Sequence, residues 1–506
     1  MQTGELKIAR AQSRPSAAGA FRITVSRGTV VWILGLATVG FVASASASAI
    51  AQHYSALGVA MILAMFVLGP IFVVSTAWAI PQARHKLAGL RQELRWWHGL
   101  WFVLYFTAMI GGFRSKQADA VNPESVWSAL RVGPELIIAA VLTIRLVRFR
   151  PAWSKYLFTG LPGVLALYAL VCAASSSWSV YPSWTLYKSL EYLLDVAVLA
   201  AALANLSLED YKSLFDWTWT IFAAELAWVW MQWPFWPAEV FGNEGRFQGV
   251  HPYVGYNAVG QSGAFLAVLA LCRLLPLSGR KAGRAFYSWL FAFGIASLLL
   301  SHTRNTLAAF VVAAALVLIL TKHFWLTAVM GGLGAVAWAF TATSSAVMSY
   351  VMRDQSEGAL NSLTGRADPW TYAWELFLSH PLTGLGAYAG GRFVVLQKVG
   401  GMVNMHSDWM ELLVGIGCLG VIPFAIAVLG VWWFLLRSIH DRSLQVEARQ
   451  TALEATGVFC VIFIHSFFNN ELTLHAPLLL LVTLGYAEML RRAIALRAGA
   501  VFLHSR

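Results

Sequence analysis

Arg246, Arg304, Arg366 and the lone His406 are residue types that can neutralise phosphate and move a proton. A guanidinium is always charged and meets two phosphate oxygens at once. An imidazole, with an ordinary pKa of ~6.5, takes a hydroxyl proton at neutral pH. Gathered at one membrane face, such groups could hold a lipid diphosphate and serve a reaction beside it. Each also has a plainer reading. Arg246 sits in Gly245-Arg246-Phe247-Gln248-Gly249-Val250-His251-Pro252, ahead of Asn257. The glycines would let backbone approach a ligand, or the arginine snorkels to lipid headgroups. Arg304 follows Ser301-His302-Thr303 at a tight turn between apolar runs, with the same two readings; His302 reads as a polar turn residue.

Arg366 precedes Asp368-Pro369, a helix start with Asp as N-cap and Pro at the first helical position. The helix 369–379 places Trp370, Trp374, Phe377 and Leu378 on one face, and Pro381 ends it. Such a helix lies in the membrane interface. Its amino end adds partial positive charge beside Arg366, or it is only a lipid-anchored loop helix. His406 is either polar filler or a general base that Asp408 or Glu411 could orient. The absence of a second histidine at i+4 argues against zinc.

Arg366 and His406 fall in one long polar segment, 346–409, and the rest of the chain is almost all membrane. Hydrophobic residues make up 58% and charged residues 12%, against about 25% charged in a soluble domain. The expected class is an all-α integral membrane protein. The fourteen candidate spans are 29–50, 56–80, 98–113, 130–148, 156–174, 186–205, 214–233, 257–276, 286–301, 304–321, 324–345, 410–437, 452–469 and 474–493. Two of them are short, so about 12–14 transmembrane helices are expected. The net charge of +12 could point to nucleic acid, but the distribution of the cations rejects that partner. Arg84, Lys86, Arg145, Arg148, Arg273, Arg280, Arg437, Arg442, Arg491 and Arg492 all fall on one side when the spans alternate. The positive-inside rule makes that side cytoplasmic, with both termini inside. Arg246, Arg304, Arg353, Arg366, Arg392 and Lys398 then lie on the outer side with His406, Asn469, Asn470 and His475. An anionic ligand is a natural reason for cations there.

Residues 1–28 form a basic tail and lead into a full-length span, without a cleavable-signal pattern. Cys172, Cys272, Cys418 and Cys460 have neither disulfide nor metal spacing. Lys188, Glu191 and Asp195 share a helix face inside a span, and Glu225 sits mid-span. Intramembrane charges either neutralise one another to fix packing or mark a proton or ion path.

Several pieces together resemble a known family. They are segment 175–190, Arg246 through Pro252 with Asn257, and Ser301-His302-Thr303-Arg304. The remaining pieces are Gly365-Arg366 through Trp374, His380 through Gly386, and His406 through Gly420. In order and placement, over roughly 155–440, they resemble the O-antigen ligases and Wzy-type polysaccharide polymerases. His302-Thr303 stands where the family often has Ser directly before Arg. The resemblance implies a periplasm-facing glycosyltransferase of the bacterial inner membrane that needs no metal or other cofactor. Its donor would be an undecaprenyl-diphosphate-linked glycan. Its acceptor would be lipid A core or a growing polysaccharide, with protein hydroxyls a further choice. By matching positions, Arg246 and Arg304 would hold the diphosphate, Arg366 would assist, and His406 would activate the acceptor hydroxyl. Asn257, Asp408 and Glu411 would support them.

The expected organisation is a tail over 1–28, N-terminal spans over 29–152 and core spans over 153–345. A periplasmic loop over 346–409 would carry catalytic residues and an interfacial helix, and the last spans and cytoplasmic tail occupy 410–506. The rival from another class is a transporter or flippase of lipid-linked glycans. It would show internal repeats and helices broken at mid-membrane, and the charges at 188–195 are its support.

Overall fold

In a computed structural model of the protein, the described residues are 79–110, 113, 126–149, 153–242, 245–278, 283–328, 366–399 and 405–504. They belong to one compact unit, Ser75–Arg506. The basic tail, the first two spans up to residue 78, most of span 324–345, the loop through 365 and Arg353 lie outside the described residues.

Every other apolar run named above is a helix. They are α1 (Trp96–Ile110), α2 (Val126–Phe149), α3 (Gly160–Ala174), α4 (Pro182–Leu203), α5 (Tyr211–Gln232), α6 (Tyr256–Leu274), α7 (Arg284–Leu300) and α8 (Arg304–Leu320). The loop helix α9 (Ala367–Ser379) follows, then α10 (Asp408–His440), α11 (Val446–His465) and α12 (Leu478–His504). Among the described residues the only strands are β1 (Gly249–Val250) and β2 (Tyr253–Val254), an antiparallel hairpin pairing Gly249 with Val254 and Val250 with Tyr253. The four cysteines are all free.

Burial separates central helices from peripheral ones. Helix α6 is buried on every face from Val259 to Ala270, and α12 from Leu478 to Leu490. Helices apolar all round belong in such positions. On α10, Leu419, Ile422, Ile426, Leu429 and Trp433 are exposed at alternating three- and four-residue steps. That apolar stripe needs lipid, not water, to cover it. Gly160–Ser177, Tyr256–Leu274 and Asp408–His440 are long and apolar enough to cross a membrane, and Arg284–Leu300 and Arg304–Leu320 are shorter apolar helices. The chain is an all-α membrane protein.

Ion pairs fix one end of the bundle. Arg273 of α6 reaches Asp216 of α5 at 2.5 Å and Glu454 of α11 at 2.8 Å. It also donates to the Tyr287 hydroxyl of α7 at 3.0 Å. The helices run away from this end to turns that carry Arg246, Ser301 and Ser466.

Helix α10 is broken, and the break organises the loop that follows α9. Gly417 has φ +56, and a side chain there would sit 2.7 Å from the Leu382 backbone. Gly384, at φ +59, would clash likewise with the Gly415 backbone at 2.5 Å. Only glycine permits both the left-handed backbone and this approach. The groups freed by the break are satisfied. Cys418 N–H donates to Pro381 O at 2.9 Å, Leu419 N–H to Leu382 O at 3.1 Å, and Leu385 N–H to Val414 O at 3.0 Å. Non-helical backbone within a span is tolerated where protein covers it. Segment 175–190 braces the other side of the same loop. Val180 N–H donates to Leu385 O at 3.0 Å, Thr185 Oγ1 to Ala387 O at 2.8 Å and Trp184 Nε1 to Tyr388 O at 3.2 Å. Three pieces that were separate motifs in the sequence are one packed unit.

Candidate active site

Arg246 is held by the segment on either side of it. Phe247 is fully buried, its ring 4.9 Å from that of Trp230, and its N–H donates to Leu300 O at 3.0 Å. The β1–β2 hairpin hangs on Gln232, whose Oε1 accepts from Val250 N–H at 2.6 Å and His251 N–H at 2.9 Å. Between these anchors Arg246 is buried. Its Nε donates to Ser301 O at 3.3 Å, and its guanidinium lies 3.1 Å from the Tyr256 ring centre. The ring face fixes the plane of the cation. Asn257 is the next residue, half-buried in the first turn of α6.

Arg304 opens α8, directly after Thr303 at its N-cap. His302 turns the chain at φ +50, in keeping with a turn residue. The hydroxyls of Ser301 and Thr303 lie 2.8 Å apart, and Gly260 admits them against α6, since a side chain there would meet Thr303 Oγ1. Arg304 and Arg246 are within electrostatic reach of each other.

Arg366 is itself the residue before α9, without a side-chain cap, so the helix starts earlier than the Asp368 cap expected from sequence. Asp368 sits in the first turn, where a carboxylate suits the helix dipole. Pro369 and Ala373 are buried, whereas Trp374 and Leu378 are exposed. Trp370 turns inward, and its Nε1 donates to Met405 O at 2.8 Å. Burial holds the Arg366 guanidinium below the usual arginine range; Tyr256 opposes this, and Arg304 and Arg246 add to it. All three arginines thus converge on one place, with Tyr256 among them.

His406 stands next to that place. It is half-buried at φ +47. Such backbone is uncommon for a residue with a side chain, and it persists where the surroundings enforce it. The enforcement is visible on both sides. Met405 is held by Trp370, and Ser407 caps α10 through Met410 N–H at 3.4 Å. Burial lowers the His406 pKa below its ordinary value, the Arg366 charge lowers it further, and a hydrogen bond with Asn469 opposes them.

The two carboxylates considered as partners for His406 have other contacts. Asp408 clamps the loop between α11 and α12. Its carboxylate accepts from the N–H groups of Glu471 and Leu472 at 2.8 Å each, and from Thr473 N–H at 3.0 Å and its hydroxyl. Glu411 lies against Gly391, where any added side chain would strike its carboxylate. Asn469, which hydrogen-bonds the ring, was legible only as an outer polar residue. Glu471, His465 and Tyr256 were missed altogether. The run Asn469-Asn470-Glu471 between two apolar helices was the available signal for the first of them. Arg392 and Lys398 are drawn elsewhere, over Trp184 at 4.8 Å and Tyr372 at 3.9 Å.

Residues 289–425 match the O-antigen ligase family model. The match supports the resemblance carried by the motifs, and with it a glycosyl-transfer role of the ligase or polymerase type. The matched segment holds Arg304, Arg366 and His406, the loop 381–390 and the broken part of α10. Arg246 and the loop 466–477 lie outside it. The comparison with curated proteins gives no match.

Among the described residues, one trio could by its geometry hold a metal ion: Glu135, Glu191 and His475. It contains neither the arginines nor His406. Arg131 and Lys188 each lie 2.5 Å from Glu191.

Proposed function

We propose that the protein transfers glycan from undecaprenyl diphosphate to a sugar hydroxyl at the periplasmic face of the bacterial inner membrane. The convergence of Arg246, Arg304 and Arg366 beside His406 carries this reading. Arg246 and Arg304 hold the diphosphate and Arg366 assists. His406 takes the proton from the acceptor hydroxyl as its oxygen bonds to the anomeric carbon. The bond from that carbon to the diphosphate breaks, and the diphosphate leaves with the electron pair. Preorganised cations act where that charge develops, and Arg246 is held by Ser301 O and the Tyr256 ring before any donor arrives. Tyr256 lies against Arg246 with Asn257 the next residue in the first turn of α6, and Asp408 holds the loop that carries Asn469.

The acceptor is lipid A core in a ligase, a second glycan chain in a polymerase, or a protein hydroxyl in a related transferase. Purified protein given the lipid-diphosphate glycan and each acceptor in turn should form one product. Bound donor with no transfer to any of them overturns the reading. Its orientation has a separate check. Thiol labelling of intact cells should reach Ser379→Cys but not Ser443→Cys, both of them at exposed positions. Labelling at 443 would reverse the assigned side.

A further inference from the structure

We propose that an anionic phospholipid headgroup seats between the helical residues 79–92 and the amino end of α7. The site involves none of the residues of the proposed transfer. An open cavity of about 510 Å³ lies there, lined by Pro81, Gln82, His85, Lys86, Gly283 and Tyr287. That volume falls in the ~300–1,000 Å³ range of small-molecule sites. Tyr287 is in the first turn of α7, and the far end of the same helix leads to Ser301 and Arg304. The cavity and the arginines are thus at opposite ends of α7.

Three features of the cavity suit an anion. The first is Lys86, which is half-buried. Its ammonium lies 4.8 Å from the Tyr287 ring centre and 5.7 Å from that of Phe286, and it donates to the Tyr287 hydroxyl at 2.8 Å. Among the described residues no carboxylate pairs with it. Arg273, on the other side of the same hydroxyl, has its charge matched by Asp216 and Glu454.

The second is the Tyr287 hydroxyl itself, in a residue only 6% exposed. It accepts from Lys86 at 2.8 Å and from Arg273 at 3.0 Å. Both cations can only donate, so they take the two lone pairs of the phenol oxygen and leave its proton over. Among the described residues nothing accepts that proton. A buried donor left unpaired is costly, and an oxygen seated in the cavity would complete it. The third is the helix end. Gly283 lines the cavity, is the N-cap of α7 and brings no side chain to cap it. The first turn holds Arg284 and no acidic residue. The unpaired N–H groups and the partial positive charge of that end favour an anion.

The flanks favour a lipid over a free anion. Ile80 and Leu87, on either side of the lining residues of the 79–92 segment, are 46% and 41% exposed. Acyl chains would cover these side chains, and a free phosphate would leave them to water. A phosphodiester takes Lys86 as a point charge and the Tyr287 proton as a hydrogen bond. Basic clefts between spans hold anionic headgroups in this way.

The test places the full-length protein in nanodiscs of phosphatidylcholine, with or without phosphatidylglycerol. Bound lipid is counted by native mass spectrometry, and melting is followed in parallel. Wild type should retain a single phosphatidylglycerol and melt higher with it. Lys86→Gln should weaken that binding about fivefold, the worth of one cation at an anionic surface. Tyr287→Phe should weaken it on the order of tenfold, since a hydrogen bond to a charged group is lost. Melting of each variant in phosphatidylcholine alone checks that it is folded, and Lys86→Arg should retain most of the binding. Arg84 is an exposed cation on the same helical segment and does not line the cavity, so Arg84→Gln should bind like wild type. Equal losses in Arg84→Gln and Lys86→Gln would mean diffuse attraction to the membrane surface and overturn the site. Protection by inorganic phosphate alone, in phosphatidylcholine discs, would make the ligand a free anion and overturn the lipid. Wild-type binding in both Lys86→Gln and Tyr287→Phe would overturn the proposal outright.

Discussion

Two groups of charged residues in this bundle have opposite balances. Around Glu191, unlike charges meet. Arg131 and Lys188 lie 2.5 Å from its carboxylate, Arg131 lies 3.5 Å from Glu135, and His475 lies 3.1 Å from Asp195. The Asp195 carboxylate also accepts Ala476 N–H at 2.7 Å. At the candidate site, like charges meet: Arg366 is depressed by burial and by Arg304 and Arg246. Desolvating a charge is expensive, and an unlike partner offsets the expense inside the fold. Like charges gathered at one place raise it, and in the proposed reaction the anionic donor lowers it again. The Glu191 group therefore reads as a device that fixes α2, α4 and the loop before α12. In the proposed reaction the arginine group is the receptor. Of the charges at 188–195, the sequence support for a transport path, Lys188 and Glu191 are engaged with each other and Glu191 with Arg131, and Asp195 with His475.

The sharpest way to break this comparison is to remove charges from each group, beginning with the arginines. Arg246→Ala and Arg304→Ala should abolish transfer while the protein still inserts and purifies. Arg246→Lys and Arg304→Lys should recover little, because an ammonium cannot make the two-pronged contact. Near-normal transfer in both alanine variants would return these arginines to headgroup snorkelling.

His406→Ala comes next. A general base contributes on the order of 10²–10⁴ in rate, so turnover should drop by that factor with donor binding intact. The base works unprotonated, and burial with the Arg366 charge lowers its pKa. The wild-type rate should rise with pH along a limb below ~6.5, the ordinary histidine pKa, and be flat above it. Arg366→Gln removes one of the two lowering causes, so its limb should move to higher pH. A rate that falls as pH rises would make His406 a phosphate-binding cation instead.

The Glu191 group should respond in the other currency. Glu191→Gln leaves Arg131 and Lys188 without their shared carboxylate, and breaking a buried ion pair costs about 3–5 kcal/mol. Yield and thermal stability should fall, and turnover per folded molecule should hold. Lost turnover at full stability would move this group into the reaction path.

Much of this was legible beforehand, for physical reasons. Apolar runs of span length become helices wherever they occur, and every run named within the described residues did. The cations that converge stood out because the alternating spans assigned them to the side that the positive-inside rule does not favour. What escaped depended on contacts far apart in sequence. Gln232 supports the Arg246 hairpin from the end of α5, and Tyr256 supplies the ring beneath that arginine. Gly417 reads as one more small residue in an apolar run until Pro381 and Leu382 are seen against it. Asp408 was expected near His406 and lies there in sequence, but its acceptor oxygens are turned to the 471–473 backbone. Spacing could show that a carboxylate was available and not which donors would reach it first.

The smallest expected effect concerns Trp370, which links the loop helix to the base. Its indole N–H holds Met405 O at 2.8 Å, one residue before the left-handed His406. Trp370→Phe keeps most of the apolar contact and deletes one hydrogen bond, worth about 1 kcal/mol net. If that bond helps to hold His406 at positive φ, kcat should fall by up to roughly fivefold, the equivalent of that energy, with donor KM unchanged. If Trp370 serves only to anchor α9 in the lipid interface, membrane association of the loop should weaken and kcat should stay. A change in donor KM alone would place α9 on the path by which the lipid reaches the arginines.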